Sequence, residues 1–296
     1  MKITPMSYKT RVVVLLFVVQ IVTLCTRSAI GAETANFCYL PTEQNVAYAD
    51  VIELPVQRPS KILEYGDNAL QFGELWLPKN QHPGASPLVV LIHGGCWLNT
   101  YNINHTHALS TALAHVGYAV WSIEYRRTGD DGGGWPGSLR DIEKAISYIM
   151  NIKSADFDAT NVALVGHSAG GHLALLAGSS LTDTPSIKGV IGLAAITDVT
   201  KYARGNNSCQ TATSKFFDAM PSDAPNTYKL ANPAQKKNHH NTILIHGSKD
   251  NIVPIAHSSY LPSASSVTIT GAGHFDMIHP GTESFQALLR QLATLF

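Results

Sequence analysis

Short continuous apolar runs recur along this chain, with stretches of helical spacing between them. The runs at 88–92 (Leu-Val-Val-Leu-Ile), 118–123, 161–165, 187–193 and 242–246 are rich in β-branched residues. Such runs read as parallel strands buried on both faces. Residues 72–77 alternate apolar with small or polar side chains, which predicts an edge strand closed by Pro78. A last strand is expected at 266–270. Helices are expected at 105–115, at 138–152, where apolar residues fall at 139, 142, 145, 146 and 149, and at 284–296. Strands alternating with helices imply βαβ units, and therefore an α/β fold with a doubly wound, mostly parallel sheet flanked by helices. Residues 33–70 show no period and read as an arm wrapping the domain. Residues 200–240 are rich in Asn, Ser, Thr and Lys between two core strands, and read as a small polar lid. With no repeat and no linker, residues 33–296 are expected to form one domain.

The strand at 161–165 runs into Gly166-His167-Ser168-Ala169-Gly170, and a helix is expected to follow. A Gly-x-Ser-x-Gly between strand and helix is a nucleophile elbow, in which a tight turn pushes the serine hydroxyl out of the sheet. Ser168 is the expected nucleophile. A serine hydroxyl needs an imidazole to take its proton, and that imidazole needs a carboxylate to orient it. In chain order the partners are expected as acid, then histidine. His274, in Gly-Ala-Gly-His-Phe-Asp after the last strand, and Asp250, in the loop after the strand at 242–246, fit this order. Both loops leave the carboxyl ends of strands, where open α/β sheets place their sites. Asp198, at the entry to the lid, is an alternative acid. His93-Gly94-Gly95-Cys96-Trp97 follows the strand at 88–92, and its glycines let backbone approach a substrate. Oxyanion donors are assigned to the N–H groups of Gly95, Cys96 and Ala169. Trp97 and Trp135 are the candidate substrate-binding side chains, and His93 is expected to hold its loop rather than to react.

These motifs, with Tyr65-Gly-Asp and Glu124-Tyr-Arg-Arg, resemble those of α/β-hydrolases of the esterase/lipase superfamily, in the branch with His-Gly-Gly-x-Trp loops. That branch holds small carboxylesterases, feruloyl- and acetylxylan-esterase-like enzymes and kynurenine formamidase-like enzymes. The resemblance runs from about residue 62 to the C-terminus and implies an α/β-hydrolase fold and a serine esterase working through an acyl-enzyme. Cys96 departs from the Gly, Ala or Tyr that relatives often carry. The expected substrate is a small ester with a short acyl group. A formamidase or peptidase of the same fold, and a non-catalytic binding protein on this scaffold, are the alternatives.

Charge changes the picture only at the N-terminus. The chain carries 21 basic and 21 acidic residues, but the first 32 hold Lys2, Lys9, Arg11 and Arg27 and no acid. The apolar run at 12–25 and the small residues Ala29, Gly31 and Ala32 complete a secretory signal peptide expected over 1–32, with an uncleaved anchor as the alternative. The mature chain is then slightly acidic, which gives no nucleic-acid footprint, and is expected to be secreted or periplasmic without stable membrane insertion. Cleavage would leave Cys38, Cys96 and Cys209; with Cys96 expected at the site, the expected bridge is Cys38–Cys209. His105, His107, His239 and His240 lack the clustered acids or thiols of a metal site and are expected in solvated loops. His172 reads as a packed helix residue. No metal and no cofactor is called for.

Overall fold

The computed structural model describes residues 39–79 and 84–296; the expected leader over 1–32 and Cys38 lie outside the described residues. Among the described residues, eight strands form a single sheet in the order β1-β2-β4-β3-β5-β6-β7-β8. They are β1 (Lys61–Glu64), β2 (Phe72–Trp76), β3 (Ser86–Ile92), β4 (Ala119–Ile123), β5 (Phe157–His167), β6 (Ile187–Leu193), β7 (Thr242–Gly247) and β8 (Ser265–Ile269). β2 runs antiparallel to both of its neighbours, and the strands from β4 to β8 are parallel.

The apolar runs are continuous because both faces of the sheet are covered. Leu88, Val90 and Ile92 of β3 pack on one face, with Ile142, Ile146 and Ile149 of α3 (Gly137–Met150) and Leu173 of α4 (Ala169–Ser180). Val89 and Leu91 point to the other face, towards Leu109 and Leu113 of α2 (His107–His115) and Leu288 and Leu292 of α8 (Glu283–Leu295). Period-two alternation thus builds two cores from one strand.

Three expectations are corrected. The strand at 72–77 is not the edge: β1 pairs outside it, Lys61 opposite Leu75 and Glu64 opposite Phe72. β1 is four residues long and mostly exposed, too short to give a period, and the charges at its two ends suit a sheet edge. His105 and His239 are buried rather than solvated. The segment 200–240 is not simply polar. It folds into α5 (Val199–Tyr202), α6 (Ser208–Phe217) and α7 (Pro225–Leu230), and buries Tyr202, Phe216, Phe217 and Tyr228. Most of its polar residues face outward, Thr213, Asn232 and His239 excepted, and they mask the aromatic ones in any composition count. A signal was available: Asn207 and Gln210 form a capping box at the start of α6.

Residues Tyr39–Phe296 form one compact unit. The segment before β1 contributes α1 (Tyr48–Ile52). Among the described residues, no helix is long and apolar enough to cross a membrane.

Candidate active site

Ser168 sits between β5 and α4 with φ 56° and ψ −118°, a strained left-handed conformation for a residue with a side chain. The flanking glycines make the turn possible. A Cβ on Gly166 would stand 2.3 Å from the carbonyl of Gly170, and one on Gly170 would stand 2.3 Å from the carbonyls of both Ile92 and His93. The strand, the elbow and the His93 loop therefore touch backbone to backbone.

That loop carries three successive left-handed residues, Gly95, Cys96 and Trp97, at φ 104°, 55° and 58°. It is held from below: His93 Nε2 lies 2.9 Å from Glu124 Oε1, and the Tyr125 hydroxyl donates to the His93 carbonyl at 2.9 Å. Glu124 also accepts from the Ile103 and Tyr125 N–H groups and faces Arg127 at 3.2 Å. Burial pushes its carboxyl up, yet His93 beside it, the Arg127 guanidinium and the hydrogen bond from the Tyr125 N–H outweigh that and leave it below its ordinary value. His93 accordingly braces the loop, as expected.

Asp250 follows β7. Its Oδ1 accepts from the Ile252 and Val253 N–H groups, both at 2.8 Å, and its Oδ2 accepts from His274 Nδ1 at 2.8 Å. Burial raises the Asp250 carboxyl, but His274 and His246 beside it outweigh burial and hold it well below the carboxylate range. It is therefore an anion aimed at one ring nitrogen of His274, which leaves Nε2 free. Asp198 is engaged elsewhere: its Oδ1 caps α5 through the Thr200 and Lys201 N–H groups and accepts from Asn232 Nδ2.

Ser168 and His274 line one pocket of about 160 Å³, together with Gly95 and Cys96. Among the described hydrogen bonds none joins the Ser168 hydroxyl to His274 directly; such contacts commonly tighten only when substrate binds. A wider depression of about 370 Å³ lies where β6 and β7 begin, at Ile187, Lys188 and Asn241, away from these groups.

The expected disulfide is corrected. Cys209 pairs with Cys96, not with Cys38, and their Cα atoms stand 4.9 Å apart. The positive φ at Cys96 accompanies a loop that meets the start of α6, so the bridge ties the loop to the cap. The two tryptophans are also corrected. Trp97 is fully buried, stacks on Phe216 at 4.9 Å and donates to His172 Nδ1 at 3.2 Å. Trp135 packs against Phe217 at 5.8 Å. Neither lines the pocket. His172, packed as expected, bridges further, its Nε2 lying 2.7 Å from the Ala231 carbonyl.

The pocket wall comes instead from Tyr48, Tyr101, His105, His167, Ile252 and Phe275. His167 and Phe275 adjoin Ser168 and His274 in sequence, so their motifs offered a signal. Tyr48 and Tyr101 offered none. His167 Nε2 lies 3.1 Å from the His274 carbonyl, and burial, with His274 and His105 nearby, pushes its imidazole well below its ordinary value. It stays neutral and steadies the His274 backbone.

A mostly parallel sheet with a serine elbow, a glycine loop and an aspartate–histidine pair at its carboxyl edge defines an α/β-hydrolase of the esterase/lipase superfamily. Residues 74–264 match the BD-FAE family, and the chain belongs to it. Among curated proteins it is similar to Esterase LipC of Mycobacterium tuberculosis, 26% identical over 72% of this chain and 59% of that one. It is also similar to Kynurenine formamidase of Meyerozyma guilliermondii, 30% identical over 45% of this chain and 48% of that one. The chain thus spans about half to three fifths of the length of these relatives. Among solved structures, Esterase B of Lactobacillus Rhamnosis superposes with a TM-score of 0.67 at 21% identity, covering 81% of this chain and 87% of the other.

Proposed function

We propose that this chain hydrolyses carboxylic esters with short acyl groups through Ser168, His274 and Asp250. The observation that carries the reading is the His274 Nδ1–Asp250 Oδ2 bond of 2.8 Å, in the pocket that also holds Ser168 at a strained elbow. His274 Nε2 takes the Ser168 proton as the hydroxyl adds to the ester carbonyl. The N–H groups of Gly95, Cys96 and Ala169 are the proposed hosts for the oxyanion. Collapse releases the alcohol, with its proton returned from His274, and leaves an acyl-Ser168. Water, deprotonated by the same imidazole, hydrolyses the acyl-enzyme. Asp250 stays ionised throughout and fixes the imidazole tautomer.

A pocket of about 160 Å³ is below the roughly 300–1,000 Å³ common for drug-sized ligands, which supports a short acyl group. The test is a set of nitrophenyl esters, acetate, butyrate and laurate, with fluorophosphonate labelling of Ser168. Acetate or butyrate is expected to turn over fastest; laurate fastest would overturn the short-acyl claim, and an unlabelled Ser168 would favour a binding protein. The likeness to a kynurenine formamidase supports a second reading, formamide hydrolysis by the same groups. A kcat/KM for N-formylkynurenine about a hundredfold above every ester would promote it, equivalent to about 2.7 kcal/mol of extra transition-state binding.

We also propose an oxidising compartment as the site of action, secreted or periplasmic, since the Cys96–Cys209 bridge suits such compartments. A mature N-terminus near residue 32 in protein recovered from outside the cytosol is the expected result.

A further inference from the structure

The pocket is closed on one side by a residue from outside the segment that matches the family. Tyr48 opens α1, 26 residues before the match begins at 74. Its ring lies 5.4 Å from Phe275, 5.8 Å from Tyr101 and 6.0 Å from His105, edge-on or tilted in each case. Phe275 is the neighbour of His274 in sequence, and all four rings line the Ser168 pocket. Edge-to-face packing of this kind gives a ring a fixed place rather than a range of them.

The backbone beneath Tyr48 is tied to the His274 loop. The fully buried carboxylate of Asp276 accepts from the Asn45 N–H at 2.8 Å and the Val46 N–H at 3.1 Å. The same carboxylate accepts from the Gly273 N–H at 2.9 Å. Thr42 N–H donates to the Gly281 carbonyl at 3.0 Å, a second tie four residues before Val46. One buried side chain thus joins the segment carrying Tyr48 to the turn carrying His274. The ring is half-buried, and its contacts in the pocket are those of its faces and edges.

We infer that Tyr48 is a specificity-determining residue, whose ring limits the length of the acyl group seated beside Ser168. This rests on the esterase reading above. A wall that rejects added methylenes discriminates by about 10–200-fold, so its removal has a measurable signature. The wall belongs to the N-terminal segment, which precedes the family match at 74–264.

The experiment compares kcat/KM for nitrophenyl hexanoate and nitrophenyl acetate in wild type, Tyr48→Ala and Tyr48→Phe, with fluorophosphonate labelling of Ser168 in each. Tyr48→Ala is expected to raise the hexanoate-to-acetate ratio about tenfold or more, mainly through a lower KM for hexanoate. Tyr48→Phe, which keeps the ring, is expected to keep the wild-type ratio. A Tyr48→Ala ratio within twofold of wild type, with Ser168 labelled in both, overturns the inference. So does a Tyr48→Phe shift as large as that of Tyr48→Ala, because the ring would then not be the determinant. An unlabelled wild type overturns the esterase reading beneath it instead.

Discussion

Cys96 and Cys209 are bonded to each other across 113 residues of sequence, and both line the pocket that holds Ser168. The bridge joins the loop after β3 to the first turn of α6. It closes a cap on one side and holds a proposed oxyanion donor on the other.

Breaking that bridge is expected to cost stability and turnover together. A disulfide closing so long a loop contributes about 2–5 kcal/mol by restricting the unfolded chain. Cys209→Ser should lower Tm by several degrees, read by calorimetry, and should lower kcat more than it raises KM because the Cys96 N–H loses its anchor. The reducing agent TCEP should reproduce both effects in the wild type and neither in the variant. Unchanged kcat in the fully reduced protein would remove the bridge from the site's architecture.

Ser168→Ala is expected to abolish ester turnover by about 10⁴–10⁶ in kcat, leaving what the oxyanion donors and binding supply. Steady-state hydrolysis of nitrophenyl butyrate measures it. A variant that keeps a tenth of the activity would remove Ser168 from the mechanism.

Asp250→Asn should cost far more activity than Asp198→Asn. The first replaces the acceptor of the 2.8 Å bond from His274 Nδ1, and an amide there favours the wrong imidazole tautomer, a loss of about 10⁴ in kcat in a comparable triad. The second weakens a helix cap, worth about 0.5–2 kcal/mol of stability. Measured kcat for the two variants in the reverse order would overturn the assignment.

Acid lability should begin below pH 6.5. Burial pushes His105 down to about 3 and His172 and His257 down to about 4, from an ordinary 6.5. As pH falls from 6.5 towards 4 the unfolded chain takes up these protons and the folded chain does not, so each histidine costs stability at about 1.4 kcal/mol per pH unit. Asp250 behaves oppositely: its folded value lies below its ordinary 3.8, so its contribution persists through this window and is lost only at lower pH. Tm is expected to be level above pH 6.5 and to fall steadily below it, and a Tm unchanged down to pH 4.5 would contradict the burial of neutral imidazoles.

The site was legible in sequence where one short stretch carries its own geometric demand. The elbow needs glycine at 166 and 170 because backbone carbonyls stand 2.3 Å from where a Cβ would be. The strand before it must be apolar because both faces of the sheet are covered. Asp250 and His274 are marked as candidates by their place after strands, since each loop leaves the carboxyl edge of β7 or β8, and the fold brings the two side chains to 2.8 Å. Trp97 misled for the same local reason: its position beside the glycines suggested a site wall, while stacking on Phe216 from the cap placed it in the core.

The sequence by itself determined the alternation of strands and helices, the elbow and the order of serine, aspartate and histidine. Each follows from side-chain period or from a turn that only certain residues can make. The tertiary structure alone decided that Cys96 pairs with Cys209, that the cap hides Phe216 and Tyr228, and that Tyr48 walls the pocket. Those contacts join residues tens to hundreds of positions apart: Asn45 meets Asp276 across 231 of them. Such a pairing depends on where the fold brings the two residues, so the sequence around either one does not name its partner. Its partner is set by how the packed sheet returns the chain to the same edge.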